Sequence, residues 1–219
     1  YRGMKKLFLI VFSMMLVVDS YSAFESTYKP LQSEKILFIN GNILDGEGNE
    51  LLDTDLLIGD GKIVAMGRGI NLDDKDVKII DAKNKWITPG IIDIHSHMGV
   101  YPAPSVRTSS DGNEATSPVT AEVWAEHSMW VQDPQYALAL KGGVTIFHVL
   151  PGSANLIGGR GVTVKNLQRN TIQSMKYPDA KHSLKMACGE NPKRVYGNRG
   201  QAPSTRMGNF AGLLSLIHI

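Results

Sequence analysis

The segment Ile87-Thr88-Pro89-Gly90-Ile91-Ile92-Asp93-Ile94-His95-Ser96-His97 constrains this chain more than any other. A Pro-Gly pair ends whatever precedes it, and the short isoleucine-rich run that follows reads as an apolar strand. Side chains alternate along a strand, so Asp93, His95 and His97 share one face while Ile92 and Ile94 take the other. Two imidazoles on one face at a strand's end can share a metal ion, and imidazole suits zinc and its first-row neighbours. Asp93 is placed to stand behind the pair and orient it. A bare His-x-His is common by chance; its place after Thr88-Pro89-Gly90 and inside an apolar strand sets this one apart.

The character of the chain changes at this segment. Residues 34–89 read as short strands between tight turns: 36–39, 56–58, 63–66 and 77–81 are apolar and β-prone. Gly59-Asp60-Gly61-Lys62 lies between two of them and marks a hairpin. This first unit is expected to be small and antiparallel, with Asp73-Asp74-Lys75-Asp76 as a solvated loop. Beyond it comes an irregular stretch over 98–118, then a helix over 119–140 that stops at Gly142-Gly143. Strands are expected over 144–150, 161–165 and 183–188. Strands alternating with helical stretches point to a parallel α/β layout.

Length and charge narrow the reading. A complete (β/α)₈ barrel takes about 250 residues, so 219 residues cannot hold one beside a second domain. With 23 Lys+Arg against 21 Asp+Glu the net charge is +2, which gives no reason to expect nucleic acid or an anionic membrane as partner. A single cysteine, Cys188, excludes an internal disulfide and a cysteine-built metal site, and it is expected to be buried and inert.

Both ends read as something other than fold. Tyr1-Arg2-Gly3 precede the first methionine and read as translated upstream bases. Met4, Lys5 and Lys6 lead into the apolar run 7–18 and the polar patch Asp19-Ser20-Tyr21-Ser22-Ala23, the pattern of a secretory signal peptide cut after Ser22. The run is shorter than the roughly 18 residues a membrane span needs, so export without a stable anchor is expected. Leu214-Ser215-Leu216-Ile217-His218-Ile219 is what CTG-TCT-CTT-ATA-CAC-ATC encodes, a string that looks like a transposon-end sequencing adapter. The expectation is therefore a natural protein that continues beyond about Leu213, with His218 not counted as a ligand.

Together, Gly61-Lys62-Ile63, Ile80-Asp81 and the His95/His97 segment resemble the opening of the amidohydrolase superfamily. Asp111-Gly112-Asn113-Glu114-Ala115-Thr116, Gly142-Gly143-Val144-Thr145, Pro151-Gly152-Ser153-Ala154-Asn155 and Gly189-Glu190-Asn191-Pro192-Lys193-Arg194-Val195-Tyr196-Gly197 are similar to its imidazolonepropionase-like members. The resemblance covers about Glu34 to Leu213. It implies an α/β fold: an incomplete (β/α)₈ TIM-like barrel over 90–213, preceded over 34–89 by part of a composite β-sandwich that the C-terminus completes. Residues 1–22 would be leader and 214–219 tail.

The resemblance implies one or two divalent metal ions, zinc first among them, held by His95 and His97 at the end of the first barrel strand. The general-base Asp would come from a later strand beyond this sequence. One more ligand has two candidates. Glu190 follows a strand, where active-site groups gather, and is favoured; its alternative is a carboxylated Lys185, which alternation turns into the barrel while Leu184, Met186 and Cys188 face out. Otherwise Glu190 is a loop carboxylate paired with Lys193 or Arg194, and Lys185 a lysine reaching the barrel mouth. His148, Arg160 and Arg194 are candidate substrate contacts, with a satisfied core histidine an equal reading for His148. His127 and His182 are read as surface residues.

The expected activity is hydrolysis of a C–N bond (amide, cyclic amide or dipeptide) in a small molecule by metal-activated water, as a truncated chain inactive on its own. Two rivals stand beside it: an exported non-catalytic relative of the same fold, and an exported metal-binding module complete at this length.

Overall fold

The structure, a computed structural model, describes residues 23–72 and 76–217. The expected leader, most of the acidic loop (73–75) and His218-Ile219 lie outside the described residues. The described residues divide into two compact units, one within 29–91 and the other formed by 23–28 with 92–217.

The first unit is a five-stranded sheet built from β1 (Ile36–Leu44), β2 (Glu50–Gly59), β3 (Lys62–Gly67), β4 (Lys78–Asp81) and β5 (Trp86–Ile87). Its order is β3-β2-β1-β4, with β5 also on β1. The expected β2–β3 hairpin forms, with Asp60 and Gly61 at φ of 52° and 70°. Positive φ at both central residues gives the turn the twist of the strands it joins. The expectation of a wholly antiparallel unit needs correction, because β4 and β5 run parallel to β1. The connection over 68–77 is long enough for the chain to return before pairing, which a two-residue turn cannot do. Asp55 holds that return: its carboxylate accepts the main-chain N–H of Asn40 at 3.0 Å and of Ile70 at 3.1 Å. Leu37, Ile43, Leu56, Leu57 and Ala82 are the buried apolar residues of this unit.

In the second unit β6 (Ile91–Ser96), β7 (Val144–Val149) and β9 (Val162–Lys165) form one sheet in the order β6-β7-β9. A second pair joins β8 (Ile157–Arg160) to β10 (Leu184–Met186). The helices are α1 (Gln135–Lys141), α2 (Glu190–Gly197) and α3 (Arg206–Ile217). Val100, Tyr136, Phe147, Val149, Val162, Val164 and Met175 make the core.

The mixed α/β class holds, with local corrections. The helix expected over 119–140 reduces to α1, preceded by the 3-10 turn Ala125–His127. Its first residues are drawn to β8 instead: Val119 and Trp124 bridge to Ile157 and Arg160, and Thr120 N–H donates to the Ile157 carbonyl at 2.9 Å. Backbone groups spent on a sheet edge are lost to a helix ladder. The layout is not purely parallel, since β7–β9 and β8–β10 are antiparallel. The link from β7 to β9 carries no crossover helix, only β8, and parallel pairing needs a longer return. Leu214 to Ile217 continue α3. Cys188 is exposed rather than buried. Alternation along β10 is as expected, with Lys185 buried and Leu184 and Met186 outward.

Candidate functional site

β6 delivers its histidines at its C-terminal end. The His95 and His97 rings lie 5.5 Å apart, edge to face at 88°. Ser96, between them, is buried, and its carbonyl accepts the Leu150 N–H at 2.9 Å, which ties the end of β6 to the residue after β7. His97 Nδ1 lies 2.9 Å from the Leu150 carbonyl. A carbonyl only accepts, so Nδ1 carries the proton and Nε2 keeps a free lone pair. That is the tautomer a histidine needs to ligate a metal through Nε2. Asp93 reaches its neighbour through the main chain: its Oδ1 accepts the His95 N–H at 3.1 Å.

Lys185 completes the group. It is buried on β10 with its Nζ 3.1 Å from His95 Nε2. Burial lowers the pKa of this amine, because a low-dielectric surrounding disfavours the ammonium form. The Lys185 charge, then burial, then His97 lower the pKa of His95, against an opposing pull from Asp93. Both shifts favour neutral, nucleophilic or metal-ligating nitrogen. Among the described residues no three His, Cys, Asp or Glu side chains converge. The donors present are two imidazoles and an amine, which fit a divalent ion once the amine carries a carboxylate.

The structure does not bring Glu190 to this group. Glu190 opens α2, is exposed, and faces Lys193 at 3.4 Å one turn on. A carboxylate in the first turn suits the positive end of the helix dipole, which accounts for its place without a metal. Arg194 lies on the same helix and lines a cavity of about 220 Å³ with His97, Tyr101, Asn113, Ser153 and Asn191. Arg160 points elsewhere, stacked 4.7 Å over the Trp124 ring with Nε donating to the Ala121 carbonyl.

His148 has both ring nitrogens engaged, Nδ1 with Thr163 Oγ1 at 2.9 Å and Nε2 with Ser183 Oγ at 2.6 Å. This favours the satisfied core histidine over a substrate contact. Burial first, then the charges of His182 and His95, lower its pKa below 6.5. A histidine with a depressed folded-state pKa stabilises the fold above its unfolded pKa and loses that contribution as pH falls through it. The thermal midpoint should therefore drop between about pH 7 and pH 5, and His148→Gln should drop less over that range. An equal drop in both proteins contradicts the assignment.

His182 is half-buried, not a surface residue, with Nδ1 on the Gly161 carbonyl and its ring 4.7 Å from Trp124. Sequence reasoning gives no role to Tyr101 or Asn113, which hydrogen-bond to each other and wall the His97 cavity. Gly152 permits that closure, since a β-carbon there would collide with both side chains. The only sequence signal is that Asn113 and Gly152 sit inside the two Gly-containing motifs, 111–116 and 151–155.

No family profile matches the chain. It is similar to an amidohydrolase of known structure from Thermotoga maritima, with 42% identity and a TM-score of 0.72, covering 82% of this chain and 45% of that one. It is 39% identical over 143 residues to the amidohydrolase tasK of Hapsidospora irregularis, which is 61% of this chain and 15% of that protein. A dihydroorotase of Halalkalibacterium halodurans shares 35% identity over 83 residues, 38% of this chain and 19% of its own length. The chain thus spans less than half the length of each of these proteins.

Proposed function

Taking the chain as a member of the amidohydrolase superfamily, matched over less than half of its relatives' length, we propose that the whole protein is a metal-dependent hydrolase of C–N bonds. Its substrates are small molecules bearing an amide, a cyclic amide or a dipeptide bond. The observation that carries this reading is the convergence of His95 Nε2 on Lys185 Nζ, beside a His97 whose Nδ1 is already fixed by a carbonyl.

His95 and His97 would hold one or two divalent ions, zinc first among them. Lys185 would supply the bridging or third ligand after its neutral amine adds to carbon dioxide, forming an N–C bond and releasing a proton. Burial that lowers the pKa of the amine favours this addition. A divalent ion in such a site lowers the pKa of bound water and polarises a carbonyl. Leu150 keeps His97 in the ligating tautomer, and Asp93 holds the backbone at His95. Arg194, Asn113 and Asn191 line the cavity next to His97 and offer donors to a polar or anionic substrate group. The general base would come from the part of the relatives' length that these 219 residues do not cover. Export follows from the leader pattern in residues 4–22.

Assaying the whole protein against dipeptides and cyclic amides, with an ester as control, tests the reading. C–N cleavage that a chelator abolishes and zinc restores is expected. Cleavage indifferent to chelator, or no C–N cleavage by zinc-loaded protein, contradicts it.

A further inference from the structure

Glu126 and Lys176 are the two most unusual side chains outside the histidine site. They are 2% and 6% exposed, and Oε2 and Nζ stand 2.5 Å apart. A buried ion pair offsets its desolvation only when its remaining lone pairs and protons are also bonded. Here one distant residue meets groups on both side chains, with His127 Nε2 also 3.8 Å from Glu126 Oε1. Glu126 Oε1 accepts the main-chain N–H of Phe24 at 3.1 Å, and Lys176 Nζ donates to the Phe24 carbonyl. Both peptide groups flanking Phe24 are therefore bonded to a buried charge, whatever the side chain between them.

The contacts continue along the chain. Ser26 Oγ donates to the Lys176 carbonyl at 2.8 Å, and Thr27 N–H donates to the Gln173 carbonyl at 3.0 Å. Lys165 Nζ sits 4.4 Å over the Tyr28 ring, and the Phe24 ring meets His127 edge-on at 5.3 Å. No regular helix or strand accounts for residues 23–28; they are held by these side-chain and main-chain contacts. Glu126 lies in the Ala125–His127 turn, which with Trp124 walls a cavity of about 480 Å³.

We propose that residues 23–28 form a strap belonging to the second unit, and that the buried Glu126–Lys176 pair is its receptor, built to bind the main chain at Phe24. The strap also fixes where a leader can be removed. A cut after Ser22 leaves both Phe24 groups in place, whereas a cut beyond Phe24 strands two buried charges and frees the turn behind the cavity.

The test compares the whole protein starting at Ala23 with one starting at Lys29, each with the native pair and with Glu126→Met/Lys176→Met. Removing the strap should lower the thermal midpoint by about 5 °C or more with the native pair, and by clearly less where no charges remain to be stranded. Equal losses in both backgrounds, or none in either, overturn the proposal. Should the shorter protein fail to fold, amide exchange at Phe24 in the longer one decides. Exchange slowed at least about 100-fold over a free chain, and released in the double variant, is expected; exchange at the free rate overturns it. A folded exported protein whose N-terminus lies beyond Phe24 overturns it as well.

Discussion

Replacing Lys185 with alanine in the whole protein should weaken metal binding by at least about 100-fold, the scale seen when a supporting or ligating group is lost. Glu190→Gln should leave it within about twofold, as for an exposed surface pair. Both residues suit the same ligand role on sequence grounds, and the structure separates them by place. Lys185 is buried with its amine 3.1 Å from His95 Nε2. Glu190 is exposed at a helix start, facing Lys193. Among the described residues no carboxylate pairs with the amine, so truncating it leaves no uncompensated buried charge there, and Lys185→Met serves as a size-conserving control. Metal binding retained in Lys185→Ala and lost in Glu190→Gln reverses the assignment.

Phe147→Ala should cost about 3–5 kcal/mol of stability, read from denaturant unfolding. Phe147 is 1% exposed, and its ring meets that of Tyr136 at 5.9 Å in the core of the second unit. Alternation along β7 sends Phe147 and Val149 into that core and His148 to the opposite face, where Thr163 and Ser183 hold it. The loss should therefore fall on stability while the histidine site keeps its metal, as long as the protein stays folded. A loss below about 1 kcal/mol would mean that the site collapses around the missing ring or that the ring is not packed as described.

The strands and the histidine pair were legible because their signals are local. Period-two alternation over Leu184–Met186, and Asp60-Gly61 between two apolar runs, fix side-chain direction and turn geometry within a few residues. The helix over 119–140 fails because Thr120 and Trp124 gain sheet partners at Ile157 and Arg160, about 36 residues on in each case, which no local window contains. The choice between Glu190 and Lys185 stayed open for a related reason. Sequence places both near one strand's end, but the pairing of Lys185 with Gly159 across β10 and β8, and its approach to His95, come from contacts far apart in the chain. The parallel pairing of β4 and β5 on β1, the satisfied state of His148 and the exposure of Cys188 depend on the same kind of distant contact.

Metal content of the purified whole protein, compared with its His95→Ala/His97→Ala variant, tests the central claim most directly. One or two divalent ions per chain are expected in the native protein and loss of bound metal in the variant, with an unchanged circular dichroism spectrum. An unchanged metal content in the variant, or a native protein that takes up no divalent ion when offered zinc, would contradict the assignment of His95 and His97 as ligands.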